Sequence, residues 1–328
     1  MKKVAMKHFK RIVVLCGAQS YEREVSLESG EVVFQALKKM YPTFLWVLDL
    51  NELPWVGLSP NEDLIFPVIH GDFGEDGQLQ TLLEERGFTY IGSGPIASSL
   101  CIDKLRSKQF ALEHSIPVLP AMELQAKQAL SKEEIEHTLG STSFVLKPVD
   151  KGSSLGVYLC SDFSNLQEVW ENLHKSGKVK EALPYPLDRC RWMLERRIKG
   201  RELTVGLLHG KALSVGEICP QQGFYDYEHK YTDGMCTYQF PASLPEEAAQ
   251  RLQQISEKFF QAAGCRDFGR ADFMMDTDGN PWFLEMNTIP GMTLHHSLLP
   301  KSAACLGISF EELLKRLVDH ACDRFLKK

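Results

Sequence analysis

Residues 268–297, FGRADFMMDTDGNPWFLEMNTIPGMTLHHS, hold the densest set of side chains that could do chemistry together. Two short strand-like runs, 271–276 and 281–286, flank Thr277-Asp278-Gly279-Asn280. Asp-Gly between such runs predicts a tight hairpin turn, and Pro281 heads its strand where a missing N–H is tolerated. A two-residue turn at Asp278-Gly279 sets Asp272 opposite Glu285 and Arg270 opposite Asn287. Strand side chains alternate between faces, so these four project together. Directly opposed carboxylates repel. A cation between them removes the repulsion, and oxygen ligands without nearby cysteine or a His pair suit Mg²⁺, which shares its shell with substrate phosphates. A solvated acidic face on an ordinary hairpin is the competing reading, since a one-residue slip in register dissolves the pairing. The segment that follows, Asn287 to Thr293, passes through Pro290 and Gly291 and reads as an irregular loop. Its N–H groups could meet a negative charge formed beside the metal.

Three groups of elements must position these side chains. Residues 11 to about 102 read as alternating strand and helix, which implies a parallel sheet. Strands are expected near 11–15, 44–48, 64–68 and 89–91, and helices near 27–40, capped by Ser26, and 78–86. Glu22 and His70 fall just past strand ends, where sites in such sheets lie, although a lone Glu or His in a loop is more often merely solvated.

Residues 103–198 read as a second, α+β unit. Helix 103–113 carries Lys104, Arg106 and Lys108 near its start, and Ser131 with Glu134 forms a capping-box pattern ahead of another helix. Strand 144–148 carries Lys147 near its end. Asp150-Lys151-Gly152-Ser153-Ser154-Leu155-Gly156 follows, a composition whose N–H and hydroxyl groups can wrap phosphate oxygens. The order of a P-loop is absent, and a plain hairpin loop is the alternative. Glu195 and Glu202 bracket the basic turn 196–201, where charge balance alone could account for them.

In the last unit, 199–328, residues 221–236 are polar, aromatic and irregular, as expected of a working lid. Amphipathic helices at 246–263 and 310–326 read as core.

The whole chain has 328 residues, enough for two or three domains, and a net charge of −6 without long runs of one sign. A nucleic-acid partner is therefore not expected. Nine scattered cysteines without metal-type spacing favour reduced thiols in a cytoplasmic setting. The apolar run after the basic N-terminus is too short for a secretory signal, and no run is long enough to cross a membrane.

Several separated motifs, in shared order, resemble the D-alanine–D-alanine ligases of the ATP-grasp superfamily. They are Tyr21-Glu22-Arg23-Glu24-Val25-Ser26, His70-Gly71 with Gly74-Glu75-Asp76-Gly77, Asp103-Lys104 and Gly152-Ser153-Ser154-Leu155-Gly156. To these add Tyr225-Asp226-Tyr227-Glu228-His229-Lys230-Tyr231, Gly269-Arg270-Ala271-Asp272 and Glu285-Met286-Asn287-Thr288-Ile289-Pro290-Gly291-Met292. The resemblance covers nearly the whole chain and implies a three-domain ATP-grasp architecture, α/β with α+β parts: an N-terminal parallel-sheet domain (1–102), a central domain (103–198) and a C-terminal domain (199–328) with the lid.

It also implies a reaction. The carboxylate of one D-alanine takes the γ-phosphoryl group of ATP, and the amine of a second D-alanine displaces phosphate, giving D-alanyl-D-alanine for peptidoglycan. Glu22 would hold the first ammonium with His70 beside it, and Ser153 and Tyr231 would link to Glu22 and close the site. Lys104, Lys147 and Lys230 would contact phosphates, with Glu195 and Glu202 at the adenine and ribose. Asp272, Glu285 and Asn287 would hold two Mg²⁺, with Mn²⁺ as a substitute. Arg270 and the N–H of Gly291 would stabilise the oxyanion, and Ser297 would bind the second carboxylate, although residues 292–297 run one residue longer than the family pattern. The resemblance further implies a homodimer. Tyr231 favours an amine over a hydroxyl acceptor. Another ATP-grasp ligase is the alternative. A non-catalytic nucleotide-binding module is disfavoured, because no metal, phosphate or lid position is missing.

Overall fold

The structure, a computed structural model, describes residues 8–53, 55–125, 128–176, 190–220, 236–294 and 296–326. Lys230, Tyr231 and all of the expected lid except Cys236 lie outside the described residues.

The chain begins with β1 (Arg11–Gly17), buried at every position after Arg11. Then come α1 (Arg23–Leu37), β2 (Thr43–Leu48), β3 (Asp63–Pro67), α2 (Gln78–Glu85), β4 (Thr89–Tyr90) and α3 (Pro95–Ile102). The strands form a parallel sheet in the order β2-β1-β3-β4, with helices in the crossovers that parallel pairing requires. Ser26 does not cap α1 as expected; the helix starts earlier, at Arg23. The Ser26 hydroxyl instead accepts from the Gly17 N–H (2.9 Å) and donates to the Val68 carbonyl (2.7 Å), tying together the segments that leave β1 and β3. Buried backbone groups at strand ends need partners, and a buried serine inside the helix supplies both. Helix α3 was not anticipated, because PIASSLCI has no polar face to read. Pro95 starts it at a position where its fixed φ suits a first turn.

A second sheet follows from α4 (Lys104–Glu113), β5 (Ala121–Leu124), α5 (Lys132–Leu139), β6 (Phe144–Pro148), β7 (Tyr158–Cys160), α6 (Phe163–Ser176) and β8 (Trp192–Arg196). Its order is β5-β8-β6-β7, all antiparallel. Asp103 caps α4 by accepting from the Arg106 N–H at 2.9 Å, which fixes where Lys104 and Lys108 leave the helix.

The third sheet comprises β9 (Gly200–Leu208), β10 (Lys211–Pro220), β11 (Cys236–Gln239), β12 (Phe268–Asp276) and β13 (Pro281–Asn287), with α7 (Glu246–Ala262) between β11 and β12. Its order is β11-β10-β9-β12-β13, again antiparallel. Helices α8 (Leu298–Ala304) and α9 (Phe310–Phe325) end the chain. On α9, Leu313, Leu317 and Val318 return to the first sheet and share a core with Ile12, Val14 and Leu37. Each such side chain contributes about 1.5–3 kcal/mol on burial.

The basic segment 197–199 joins strands of different sheets, since β8 belongs to the second and β9 to the third. The connection from α4 to β5 also meets the third sheet, at the bridge of Val118 to Phe283, whose N–H donates to the Pro117 carbonyl at 2.9 Å. No helix among the described residues is long and apolar enough to cross a membrane.

The hairpin β12–β13 differs from expectation at its tip. Asp276 and Asn280 close a three-residue loop, with the Asp276 N–H donating to the Asn280 carbonyl (3.0 Å) and Gly279 at φ +82°. The register then shifts by one residue between Asp272 and Phe273, which leaves Leu284 as the extra residue of a bulge. Asp272 nonetheless pairs with Glu285, and Arg270 with Asn287.

Candidate active site

Asp272 and Arg270 are both buried on one face of β12. The Arg270 guanidinium grips the Asp272 carboxylate through Nε (2.9 and 3.2 Å) and Nη2 (2.7 Å). Thr204 Oγ1, opposite on β9, donates to Asp272 Oδ1 at 2.7 Å, and Asn287 Nδ2 donates to Oδ2 at 3.0 Å. Glu285 on the facing strand meets Lys104 Nζ at 3.4 Å. Both opposed acids therefore have a cationic neighbour, as electrostatics demands of carboxylates brought this close. Asp272, Glu285 and Asn287 present hard oxygen donors that fit a divalent cation sharing its shell with phosphates. Among the described residues no group of three or more His, Cys, Asp or Glu is arranged to hold a metal ion.

A second charged group lies on the neighbouring sheet. Glu195 on β8 sits between Lys147 Nζ of β6 (2.8 Å) and Lys108 Nζ of α4. Burial opposes charge on this carboxylate, but the two ammonium groups outweigh it and hold Glu195 at about 2, below its usual range. Lys108 is itself pushed down by burial.

These groups line a cleft of about 640 Å³ between the second and third sheets, with Lys104, Lys147, Glu195, Glu202, Asp272 and Glu285 along it. A smaller cavity, about 70 Å³, adjoins it and is lined by Glu22, His70, Ser153, Asn287, Gly291 and Ser297. Arg270, Gly152 and Leu298 border both. Every described residue to which the family resemblance gives a role thus lines one cavity or the other.

Loops from all three sheets build the small cavity. His70 Nδ1 contacts the Ile289 carbonyl (3.1 Å) and its Nε2 the Ser29 hydroxyl (3.2 Å), so it joins the parallel sheet to the loop after β13. The Ser153 hydroxyl donates to Glu22, and the Gly152 N–H donates to the Tyr21 hydroxyl at 3.1 Å. A side chain at Gly152 would lie 3.0 Å from Glu22 Oε2, and one at Gly291 only 2.7 Å from Ser297 Oγ. Neither position takes a side chain unless its neighbour gives way. Ser297 accepts from the Thr293 N–H at 2.7 Å, which closes the loop over the cavity.

Four further residues belong to the site but were given no role from sequence: Lys108, Thr204, Tyr21 and Glu75. Lys108 lies one helical turn beyond Lys104, a spacing that could have flagged it. Thr204 depends on pairing across 68 residues of chain and leaves no local signal. Tyr21 and Glu75 stand inside the quoted motifs.

Glu75 lines the small cavity and accepts from the Gly71 N–H at 2.6 Å. Burial, then the charge of Glu22, push it up to about 8 from a usual 4.5, against the pull of the Gly71 N–H and Arg270. A carboxyl whose folded value exceeds its unfolded one holds its proton in the native state, so stability falls as pH rises through that window. Glu75→Gln keeps the Gly71 contact and removes this loss. Its stability relative to the parent should therefore rise between about pH 5 and pH 8, by at most about 1.4 kcal/mol per pH unit. Parallel urea-denaturation curves at both pH values would remove the assignment.

Comparison with known proteins matches the family model "D-ala D-ala ligase C-terminus" to residues 112–319. The D-alanine–D-alanine ligase of Magnetococcus marinus is 38% identical over 316 residues, covering 95% of this chain and 97% of that protein. That of Citrifermentans bemidjiense is 39% identical over 312 residues, covering 95% and 96%. The crystal structure of the Bacillus anthracis D-alanine–D-alanine ligase complexed with ATP superposes with a TM-score of 0.80 at 29% identity, covering 98% of this chain and 99% of that one.

Proposed function

The chain belongs to the D-alanine–D-alanine ligase family, and from that premise we propose that its two adjoining cavities take ATP and the first D-alanine. The chain is an ATP-dependent ligase that joins two D-alanines into D-alanyl-D-alanine, a peptidoglycan precursor, and releases ADP and phosphate. The observation that carries the residue assignments is the junction at Arg270, where a nucleotide-sized cleft meets a cavity fit only for a compact ligand.

The carboxylate oxygen of the first D-alanine attacks the γ-phosphorus of ATP and ADP leaves, giving D-alanyl phosphate. The amine of the second D-alanine then attacks the carbonyl carbon, and phosphate departs with the C–O bonding pair. Glu22 binds the first ammonium, and His70 packs beside it and fixes the loop after β13. Lys104 and Lys147 neutralise phosphate charge, which is most of what phosphoryl transfer asks of a protein. Glu195, which also holds Lys147 at 2.8 Å, and Glu202 lie at the adenine and ribose. Arg270 and the Gly291 N–H face the oxyanion of the second step, where one such donor is worth about 2.7–4 kcal/mol. Ser153 braces Glu22, and Ser297 takes the second carboxylate. Lys230 and Tyr231 complete the lid side of the site. Asp272, Glu285 and Asn287 would hold two Mg²⁺, for which Mn²⁺ could substitute, and such ions would supply charge neutralisation at the transferring phosphoryl group.

We place the boundaries of the three domains near residues 102 and 198, the lid at 221–236 and the protein, as a homodimer, in the cytoplasm. The nine cysteines, all free, suit that compartment. The test is phosphate release from Mg-ATP with D-alanine, run beside L-alanine and D-lactate. Release with D-alanine alone, together with a dipeptide product, is the expected result. Silence with all three despite ATP binding would move the chain to another acceptor.

A further inference from the structure

The loop after β6 runs through two left-handed serines, Ser153 (φ +52°) and Ser154 (φ +57°), and Gly156 (φ +69°). Non-glycine residues persist there only where the surroundings over-determine them, at a cost of order 1–3 kcal/mol each. The reach of Ser153 to Glu22 and of the Gly152 N–H to Tyr21 accounts for part of that constraint. A further anchor comes from a residue that no step of the reaction uses.

Lys151 Nζ bonds both carboxylate oxygens of Asp72, at 2.9 and 3.1 Å, with Asp150 at 3.6 Å. Asp72 lies 79 residues earlier, in the loop after β3. Its neighbours Gly71 (φ +76°) and Phe73 (φ +70°) are left-handed as well. Two constrained loops from different sheets therefore meet at this one ion pair. The Lys151 side chain is only 10% exposed, so this is not a solvated surface pair of the kind that contributes almost nothing. The contact also reaches the chemistry. The Lys151 carbonyl accepts from Lys104 Nζ at 2.6 Å, and the same ammonium faces Glu285.

We propose that Asp72 and Lys151 are a positioning pair that fixes the 152–156 loop over the junction of the two cavities and keeps the acyl group of D-alanyl phosphate for the amine rather than for water. The inference rests on the ligase reading above. Its chemistry is a partition of one intermediate. Amine attack on the carbonyl carbon yields dipeptide and phosphate; water attack at the same carbon yields D-alanine and phosphate, and ATP is consumed without product. Exclusion of water by fixed loops is the general means of favouring the first route.

The experiment is the ratio of phosphate released to dipeptide formed, measured on the full chain with Mg-ATP and D-alanine. The parent should give a ratio near one. Asp72→Asn and Lys151→Met should each raise it several-fold, beyond any change in rate. The charge-exchanged double variant, Asp72→Lys with Lys151→Asp, should bring it back toward one, which a merely structural loss would not do. Single variants that turn over slowly but keep a ratio of one would overturn the inference, as would a double variant no better than the singles. A parent that forms no dipeptide at all would instead overturn the ligase reading, and this inference with it.

Discussion

Asp272→Asn is expected to lower turnover by about three orders of magnitude or more while the far-ultraviolet circular dichroism spectrum stays unchanged. The size follows from the several kcal/mol that metal-assisted charge neutralisation supplies, converted to rate. Asparagine has nearly the same shape and still accepts from Thr204, but it lacks the charge that balances Arg270 and that a divalent cation needs. Some loss of stability accompanies the change, because Arg270 is buried. Near-normal turnover in a folded Asp272→Asn protein would remove Asp272 from the metal site and leave it a structural partner of Arg270.

Glu195→Gln is expected to act on stability first. It leaves Lys108 and Lys147 buried without their shared counter-charge, and removing one partner of a buried ion cluster costs about 3–5 kcal/mol. The depressed value of Glu195 gives an independent figure on the order of 3 kcal/mol. A carboxylate held below its unfolded value contributes stability above that unfolded value and loses it as pH falls toward the folded one. The parent should therefore lose this contribution between about pH 4.5 and pH 2, and the variant should lack that part of the acid limb. At neutral pH the melting temperature should drop on the order of 10 °C. If Lys147 meets phosphate, ATP should restore more stability to the variant than to the parent. A variant melting within a degree or two of the parent would show that the two lysines draw their balance from elsewhere.

Local chemistry was legible where a signal and its consequence lie close along the chain. Ser131 caps its helix as read, and α7 and α9 bury the stripes their periodicity marks. The pairing of Asp272 with Glu285 was reached through two compensating differences. The turn is one residue longer than Asp-Gly suggests, and the bulge at Leu284 takes that residue back before the site. A bulge answers to the packing of the sheet's faces, which no turn motif encodes. Distance along the chain hid the rest. Glu195, which the family resemblance puts at the nucleoside, also bonds Lys108 and Lys147, on α4 and β6, and no local signal marks those partners. The basic turn after β8 marks where a strand stops but carries no local signal of which sheet takes up the next one.

That short segment also restricts how the cleft can move. From Arg196 to Gly200 the chain can span at most about 14 Å, so the second and third sheets cannot part along that edge. The bridge of Val118 to Phe283 links the segment ahead of β5 to the third sheet. A swing of the second sheet that opens the cleft must keep the 197–199 link intact. The 152–156 loop rides on that sheet, while Asp72 rides on the first. Each swing either breaks the Asp72–Lys151 pair or carries the parallel sheet with it, so the angular travel of the jaw and the integrity of one ion pair become the same variable.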